Sequence, residues 1–215
     1  MSRRRLLENG VNANGYDFVD MGAAGIWAAC NVGANKPEEY GLYFAWGEIT
    51  GYKDQFSGKG FYWNDYKWSN GSTRETLTKY CNSSSHGKVD NKSILDLEDD
   101  AAHIIMGGNW RIPTIEEFST LWDTCNIIWT SRNGINGALF SLKTDSSKTL
   151  FFPASGRLSQ MVKSEEGSRG LYWSSSLHPN FSYMAQCLLL RSGLENSINY
   201  NDRYTGYSVR GILDI

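Results

Sequence analysis

The chain has 215 residues, of which 40% are hydrophobic and 20% are charged, so it is long enough to bury a full core. We expect an N-terminal tail of residues 1–15 and one domain over residues 16–215. The net charge of -2 at pH 7 gives no basic field, so nucleic acid is not an expected partner. No apolar run has the length of a signal peptide or a membrane span, so we expect no membrane insertion.

The four cysteines are spread along the chain without a Cys-x-x-Cys pair and without histidines at ligand spacing. This pattern argues against zinc. Three of the cysteines have apolar neighbours, which favours buried free thiols, although disulfides stay open for an exported chain. The four residues are Cys30, Cys81, Cys125 and Cys187.

The N-terminal part of the domain has the pattern of a hairpin. Residues 16–21 alternate between apolar and polar side chains, and a glycine-bounded turn at residues 22–25 leads into a second apolar strand at residues 26–32. Pro37 and the two glutamates that follow it predict one helical turn, which Gly41 ends. Residues 42–46 are then expected to pack inward.

Residues 48–92 form a polar insertion rich in Gly, Ser and Asn that also carries many aromatic residues. Disordered segments are poor in aromatic residues, so we predict an ordered excursion. Its Trp63-Asn64-Asp65 matches a tripeptide that supplies calcium ligands in sugar-binding lectins, but the companion segment upstream is missing. The acidic run at residues 96–100 precedes a helical pattern whose N-terminus favours carboxylates. We therefore expect no metal and no cofactor.

A second helix is predicted after Trp110. Thr114 and Glu117 have the spacing of a capping box. The apolar residues that follow fall on one face of a helix ending near Thr124, and they are Ile115, Phe118, Leu121, Trp122 and Cys125.

The remainder of the chain reads as short strands separated by Gly, Asn and Ser turns. The predicted strands are residues 127–129, 138–142, 149–153, 172–175, 184–190, 195–199 and 207–212. Two helices followed by short, mostly antiparallel strands predict an α+β domain.

Three motifs resemble one family when they are taken together. They are residues 26–34 with 39–48, residues 110–118, and residues 172–176 with 206–210. They are similar to the Fibrobacter-type major paralogous domain of gut bacteria, a branch of the C-type lectin-like fold, and to the variable proteins of diversity-generating retroelements. The match covers residues 16–212. The resemblance implies that the first and last strands pair, that two helices flank the sheet, and that residues 171–210 expose a ligand-binding surface.

The same resemblance implies which positions bind. In diversified members of this group, Asn codons are altered at their adenines, and the reachable residues include Asn, Tyr, His, Ser, Asp, Phe and Ile. The matching positions, which we predict to bind ligand, are His178, Asn180, Phe181, Tyr183, Asn196, Ser197, Ile198, Asn199, Tyr200, Asn201 and Asp202. Their Tyr, Asn and Ser content is also typical of recognition surfaces. We expect Phe181, Tyr183 and Tyr200 to be the energetic anchors.

The expected function is that of a non-enzymatic protein, which displays this surface to a protein or glycan ligand from a virion or a bacterial cell surface. One alternative is an enzyme related to the formylglycine-generating oxidases, which share the fold branch but need two closely placed cysteines. Here only Cys187 lies in that region, among apolar residues that disfavour a thiolate. No histidine has the sequence context of a catalytic base. The other alternative is a structural virion or fimbrial subunit.

Overall fold

The computed structural model describes residues 14–54, 56–193 and 197–214. Most of the predicted tail, Asn196 and the first residues of the strand predicted at 195–199 lie outside these ranges. No helix within them is long and apolar enough to cross a membrane.

The described residues form fourteen strands and two α-helices. The strands are β1 Phe18–Asp20, β2 Ile26–Asn31, β3 Tyr43–Phe44, β4 Trp110–Arg111, β5 Cys125–Arg132, β6 Ile135–Leu142, β7 Asp145–Pro153, β8 Arg157–Ser159, β9 Val162–Ser164, β10 Arg169–Leu177, β11 Met184–Arg191, β12 Ser197–Asp202, β13 Tyr207–Ser208 and β14 Arg210–Leu213. The helices are α1 Ala101–Met106 and α2 Ile115–Thr124, and single 3-10 turns lie at Gly22–Ala24, Trp63–Asp65 and Leu97–Asp99.

The predicted α+β class, a C-type lectin-like fold with two helices flanking the strands, is wrong. Of the described residues, 41% are in strands or bridges and 13% are helical. The strands make sheets of four, five, three and two strands. Two predicted helices do form, but they have six and ten residues. The strands between residues 125 and 153 are longer than predicted, and tight turns join them into the antiparallel β5-β6-β7 meander.

The predicted pairing of the first and last strands is also wrong. The four-stranded sheet has the order β1-β2-β14-β4. The predicted N-terminal hairpin forms, with β1 antiparallel to β2. The last strand, β14, then pairs with β2 and β4 and not with β1.

The turn predicted at Pro37 does not become a helix. Residues 36–39 make one hydrogen-bonded turn, in which Glu39 N donates to Lys36 O at 3.1 Å. The chain then reverses at Gly41, where φ is +72° and an added Cβ would lie 2.5 Å from Val32 O. Such a close approach at positive φ favours glycine, and it brings the following residues into β3.

Helix α2 forms as its sequence predicts. The Thr114 side chain accepts from Glu117 N at 3.3 Å, and the Glu117 carboxylate accepts from Thr114 N at 2.8 Å. The helix buries Ile115, Phe118 and Leu121. The Phe118 ring lies 5.3 Å from the ring of Trp27 in the core. Local capping and an apolar face are therefore sufficient to specify this element.

The five-stranded sheet positions the C-terminal segment. Its order is β12-β11-β10-β13-β3, so β12 is an edge strand and β10 is central. On β10, Trp173 lies opposite Cys187, and the Trp173 indole donates to Phe44 O at 2.9 Å. The loop between β10 and β11 and the edge strand β12 thus meet at one margin of the sheet.

The described residues of the insertion, 48–54 and 56–92, pack against the rest of the chain. Its Phe61, Tyr66 and Leu77 are buried in a cluster that also contains Leu158 and Tyr183. The insertion therefore packs against the C-terminal half of the chain.

Candidate functional site

Four rings make a continuous row at the margin of the five-stranded sheet. The His178 ring stacks on Phe181 with 5.0 Å between centroids, and it meets Tyr200 edge-on at 4.6 Å. The Phe181 ring in turn lies 5.6 Å from Tyr183. We call His178, Phe181, Tyr183 and Tyr200 the aromatic patch. It joins two parts of the predicted surface, the β10–β11 loop and β12.

The β10–β11 loop is closed by its own hydrogen bonds. His178 N donates to Met184 O at 3.1 Å, and Met184 N donates to Phe181 O at 2.8 Å. The His178 Nδ1 atom accepts from the backbone N–H groups of Asn180 and Phe181, at 3.2 and 3.1 Å. The ring is therefore an internal acceptor that shapes the loop, and its remaining proton lies on Nε2.

Strand β12 presents alternate residues to two faces. Ile198 and Tyr200 are 46% and 50% exposed. The neighbouring Asn199 and Asn201 accept from the N–H groups of Tyr200 and Asp202 at 2.7 and 2.8 Å. Because side chains alternate along a strand, the two asparagines lie away from the exposed Ile198 and Tyr200. They satisfy backbone donors of the edge strand.

The insertion also contributes to the site. The Arg74 guanidinium lies 4.7 Å from the Tyr183 ring centre, and the His86 ring meets the same ring edge-on at 4.9 Å. The Asn82 amide donates to Pro179 O at 2.8 Å, and Asn82 N donates to the Ser182 hydroxyl at 3.0 Å. Sequence reasoning missed Arg74, Asn82 and His86. The aromatic content of the insertion was the one available signal, because the contacts join residues about 100 positions apart.

A buried arginine supports the patch from beneath. Arg203 is fully buried. Its guanidinium donates to Tyr80 O at 3.0 Å, to Ser182 O at 2.9 Å and to Lys79 O at 3.0 Å, while Nε donates to the Tyr66 hydroxyl at 2.9 Å. Charge-assisted hydrogen bonds of this kind are strong. They fasten the insertion to the β10–β11 loop.

The structure divides the predicted binding residues by exposure. Phe181 and Tyr200 are 40% and 50% exposed, whereas His178 and Tyr183 are each only 8% exposed. Asn196 lies outside the described residues. The remaining residues are either exposed, namely Asn180 and Ile198, or half-buried, namely Ser197, Asn199, Asn201 and Asp202.

The electrostatic character of the patch is nearly neutral. Burial lowers the pKa of His178, which favours the uncharged ring. Burial raises the pKa of Asp202, against the opposing effects of a Tyr204 hydrogen bond and of Arg74. Arg74 itself forms an exposed ion pair with Glu75 at 3.0 Å. The surface thus combines exposed rings with one cation and few unpaired charges.

The acidic run holds an internal cation. The carboxylates of Asp96, Glu98 and Asp99 lie close together. The Lys79 ammonium approaches them at 2.6, 3.0 and 2.6 Å. The neighbouring Asp100 caps α1, accepting from His103 N at 2.9 Å. The Lys79 ammonium therefore takes the position that a metal ion would need.

The lectin-like tripeptide is also engaged internally. The Asp65 carboxylate accepts from Gly60 N at 2.8 Å and from Tyr62 N at 2.9 Å. The Lys59 ammonium lies 3.8 Å from the same carboxylate. The three residues Trp63–Asp65 form a 3-10 turn, so Asp65 serves to shape the insertion.

Cys187 lies in the core and not in an open site. It is 1% exposed, and burial raises the pKa of its thiol. All four cysteines are free thiols. A raised pKa disfavours the thiolate that cysteine chemistry requires.

Comparison with known proteins identifies no relative. No family model matches the chain, and no curated protein or solved structure matches it. The resemblance drawn from the sequence motifs therefore stays a prediction.

Proposed function

We propose that the chain is a non-enzymatic binding protein whose aromatic patch contacts a protein or glycan on a cell surface. One observation carries the proposal: four rings from two separate segments form a continuous row, with Phe181 and Tyr200 exposed. Aromatic side chains supply a large contact area with few rotatable bonds to freeze. A row fixed in advance therefore loses little conformational entropy on binding.

The chemistry of the site favours binding over catalysis. The Cys187 thiol is buried with a raised pKa, and the Nδ1 atom of His178 is occupied by two backbone donors. A general base needs an unprotonated ring nitrogen that faces the substrate, and the Nδ1 atom of His178 is engaged within the protein instead.

Assembly of identical copies through the sheet edge is a second candidate function, but the edge is poorly suited to it. An exposed edge strand recruits another strand through its free N–H and C=O groups. On β12 the N–H groups of Tyr200 and Asp202 are held by the side chains of Asn199 and Asn201. This capping favours recognition through side chains over strand pairing between copies.

We further propose that this surface is diversified by a retroelement and displayed on a virion or bacterial cell. The residues reachable from an Asn codon include the exposed Phe181 and Tyr200, whereas Trp173, which no adenine change in an Asn codon can give, is buried. Variation at exposed rings leaves such a core intact. The test is the neighbouring DNA, where a near-copy of the codons for residues 171–210 should differ only at adenines. Absence of such a copy contradicts diversification but leaves the binding proposal standing.

The binding proposal is tested with the double variant Phe181→Ala/Tyr200→Ala. The labelled protein is applied to a glycan array and to an array of bacterial surface proteins. Phe56→Ala is the matched control, because Phe56 is an 85% exposed ring on the insertion. We expect the double variant to lose its array ligands while its Tm is unchanged, and the control to keep them. A folded double variant that binds the same ligands equally well overturns the proposal.

A further inference from the structure

The geometry around His178 requires an uncharged ring. Its Nδ1 atom accepts N–H groups from Asn180 and Phe181 at 3.2 and 3.1 Å. A protonated imidazole carries a hydrogen on both nitrogens and can accept nothing. Protonation of His178 therefore breaks both hydrogen bonds and places three donors against one another in the loop.

The two exposed rings of the aromatic patch both rest on this imidazole. Phe181 stacks on one side at 5.0 Å with an interplanar angle of 20°, and Tyr200 meets it at 4.6 Å with an angle of 71°. His178 itself is only 8% exposed. It is therefore placed to arrange the contact residues and not to contact the ligand itself.

We infer that His178 is the positioning residue of the aromatic patch, holding Phe181 and Tyr200 in their binding arrangement while it is neutral and releasing them when it is protonated. Ligand binding by the patch is thus weakened in acid. This inference rests on the proposed binding function. It departs from the sequence analysis, which placed His178 among the residues that contact ligand.

Burial, and not a neighbouring charge, sets the direction in which the pKa of His178 moves. Burial lowers the pKa of His178 from its ordinary value of 6.5. The charged groups of the site are Asp202 on β12 and the Arg74–Glu75 pair on the insertion, and its other titratable groups are Tyr183, His86 and Tyr200.

The sign of the pH dependence follows from this lowered pKa. Because the folded state binds the His178 proton less tightly than the unfolded state, the contribution of the neutral ring to stability is fully present above pH 6.5. It is lost as the pH falls from 6.5 through the folded-state pKa. The change in the patch should follow the same titration.

Two variants separate the acceptor from the ring. His178→Asn keeps an acceptor that can take the N–H groups two and three residues on, as in an Asx turn, and it does not titrate. His178→Phe keeps a ring between Phe181 and Tyr200 but has no acceptor. If the acceptor is what positions the patch, His178→Asn should lose pH dependence, and His178→Phe should resemble the protonated wild type at every pH.

The first measurement needs no ligand. In 15N-labelled protein titrated from pH 8 to pH 4.5, we expect the neutral His178 to be protonated at Nε2. We expect the amides of Asn180 and Phe181 and the ring signals of Tyr200 to shift with the same midpoint, below 6.5. In His178→Asn these signals should not titrate. Amides of Asn180 and Phe181 that ignore the His178 titration, or a neutral ring protonated at Nδ1, would overturn the inference whether or not a ligand is known.

The second measurement uses whichever glycan or protein spots the arrays identify. Between pH 7.5 and pH 5 we expect the apparent affinity of the wild type to fall on the order of tenfold, the loss associated with about one net hydrogen bond. His178→Asn should change by less than about twofold. An equal pH response in both proteins contradicts the positioning role. If the amides titrate as expected but the arrays give no ligand at all, the binding function is contradicted and the loop geometry still holds.

Discussion

Two groups of aromatic residues in one sheet have opposite environments. The rings of Trp173 on β10 and Tyr207 on β13 pack in the core with 4.3 Å between centroids, and we call this pair the frame. The Trp173 indole donates to Phe44 O and Thr205 O, and the Tyr207 hydroxyl accepts from Asn201. In the aromatic patch, Phe181 and Tyr200 lie at the sheet margin and are 40% and 50% exposed. The central rings of the frame therefore support the fold, whereas at the margin Phe181 and Tyr200 are available for contact.

The largest effect is expected in the frame. Trp173 is 1% exposed, so Trp173→Ala leaves a cavity and removes the N–H group that donates to Phe44 O and Thr205 O. We expect a loss of about 3 to 5 kcal/mol in the free energy of unfolding. The measurement is denaturant unfolding, with Tyr200→Ala as the matched change in the patch. A Trp173→Ala protein with the wild-type free energy of unfolding would show that the frame does not support the fold.

The next largest loss of stability is expected when the buried Arg203 is replaced. Arg203→Met removes the guanidinium that joins Lys79, Tyr80 and Ser182, leaving buried carbonyl groups unpaired. We expect a loss of about 3 kcal/mol, as for other broken buried charged interactions. Arg132→Met is the control, because the Arg132 side chain is 50% exposed and surface changes stay within about 0.5 kcal/mol. Equal unfolding midpoints for the two variants would contradict this role of Arg203.

Local patterns in the sequence were sufficient for several elements. The capping box at Thr114, the apolar face of α2 and the β1–β2 hairpin depend on neighbouring residues, and each formed where it was predicted. The fold class was wrong because the lengths of elements and the grouping of strands into sheets depend on distant pairings. One example is the pairing of β14 with β2, which joins residues about 180 positions apart.

The site was predictable in part for the same reason. The choice of the segments at 178–183 and 196–202 as the binding surface stays a prediction, and the structure brings their described rings together. Composition could not show which of these residues are buried, because His178 and Tyr200 both belong to the Asn-codon set and differ in exposure. Nor could it show that Arg74 reaches Tyr183, since no local pattern links them.

Two residues of β12 should have different roles, one in stability and one in binding. Asn201 donates to the buried Tyr207 hydroxyl and accepts from Asp202 N, so Asn201→Ala leaves that hydroxyl without its partner. We expect a loss of about 1 kcal/mol. Tyr200→Ala should stay within about 0.5 kcal/mol of wild type and should instead weaken binding by about 2 kcal/mol.

Thermal unfolding and array binding of these two variants test the division. A Tyr200→Ala protein that unfolds more readily than Asn201→Ala would place Tyr200 in the frame and move the contact surface elsewhere. The insertion, with its exposed Phe56, would then be the next surface to examine.

The smallest expected effect concerns metal. The patch is linked to the acidic run, because Arg203 holds the Lys79 carbonyl while the Lys79 ammonium lies among Asp96, Glu98 and Asp99. If that ammonium supplies the positive charge, neither excess EDTA nor added calcium chloride should change the Tm or the array binding. A Tm that falls on chelation would mean that an ion supports the patch, and the order of its rings would then not come from the scaffold alone. The Lys79 ammonium and a calcium ion would compete for the same carboxylate oxygens. If the ammonium occupies them, the Tm and the array binding should stay unchanged both with EDTA and with added calcium chloride.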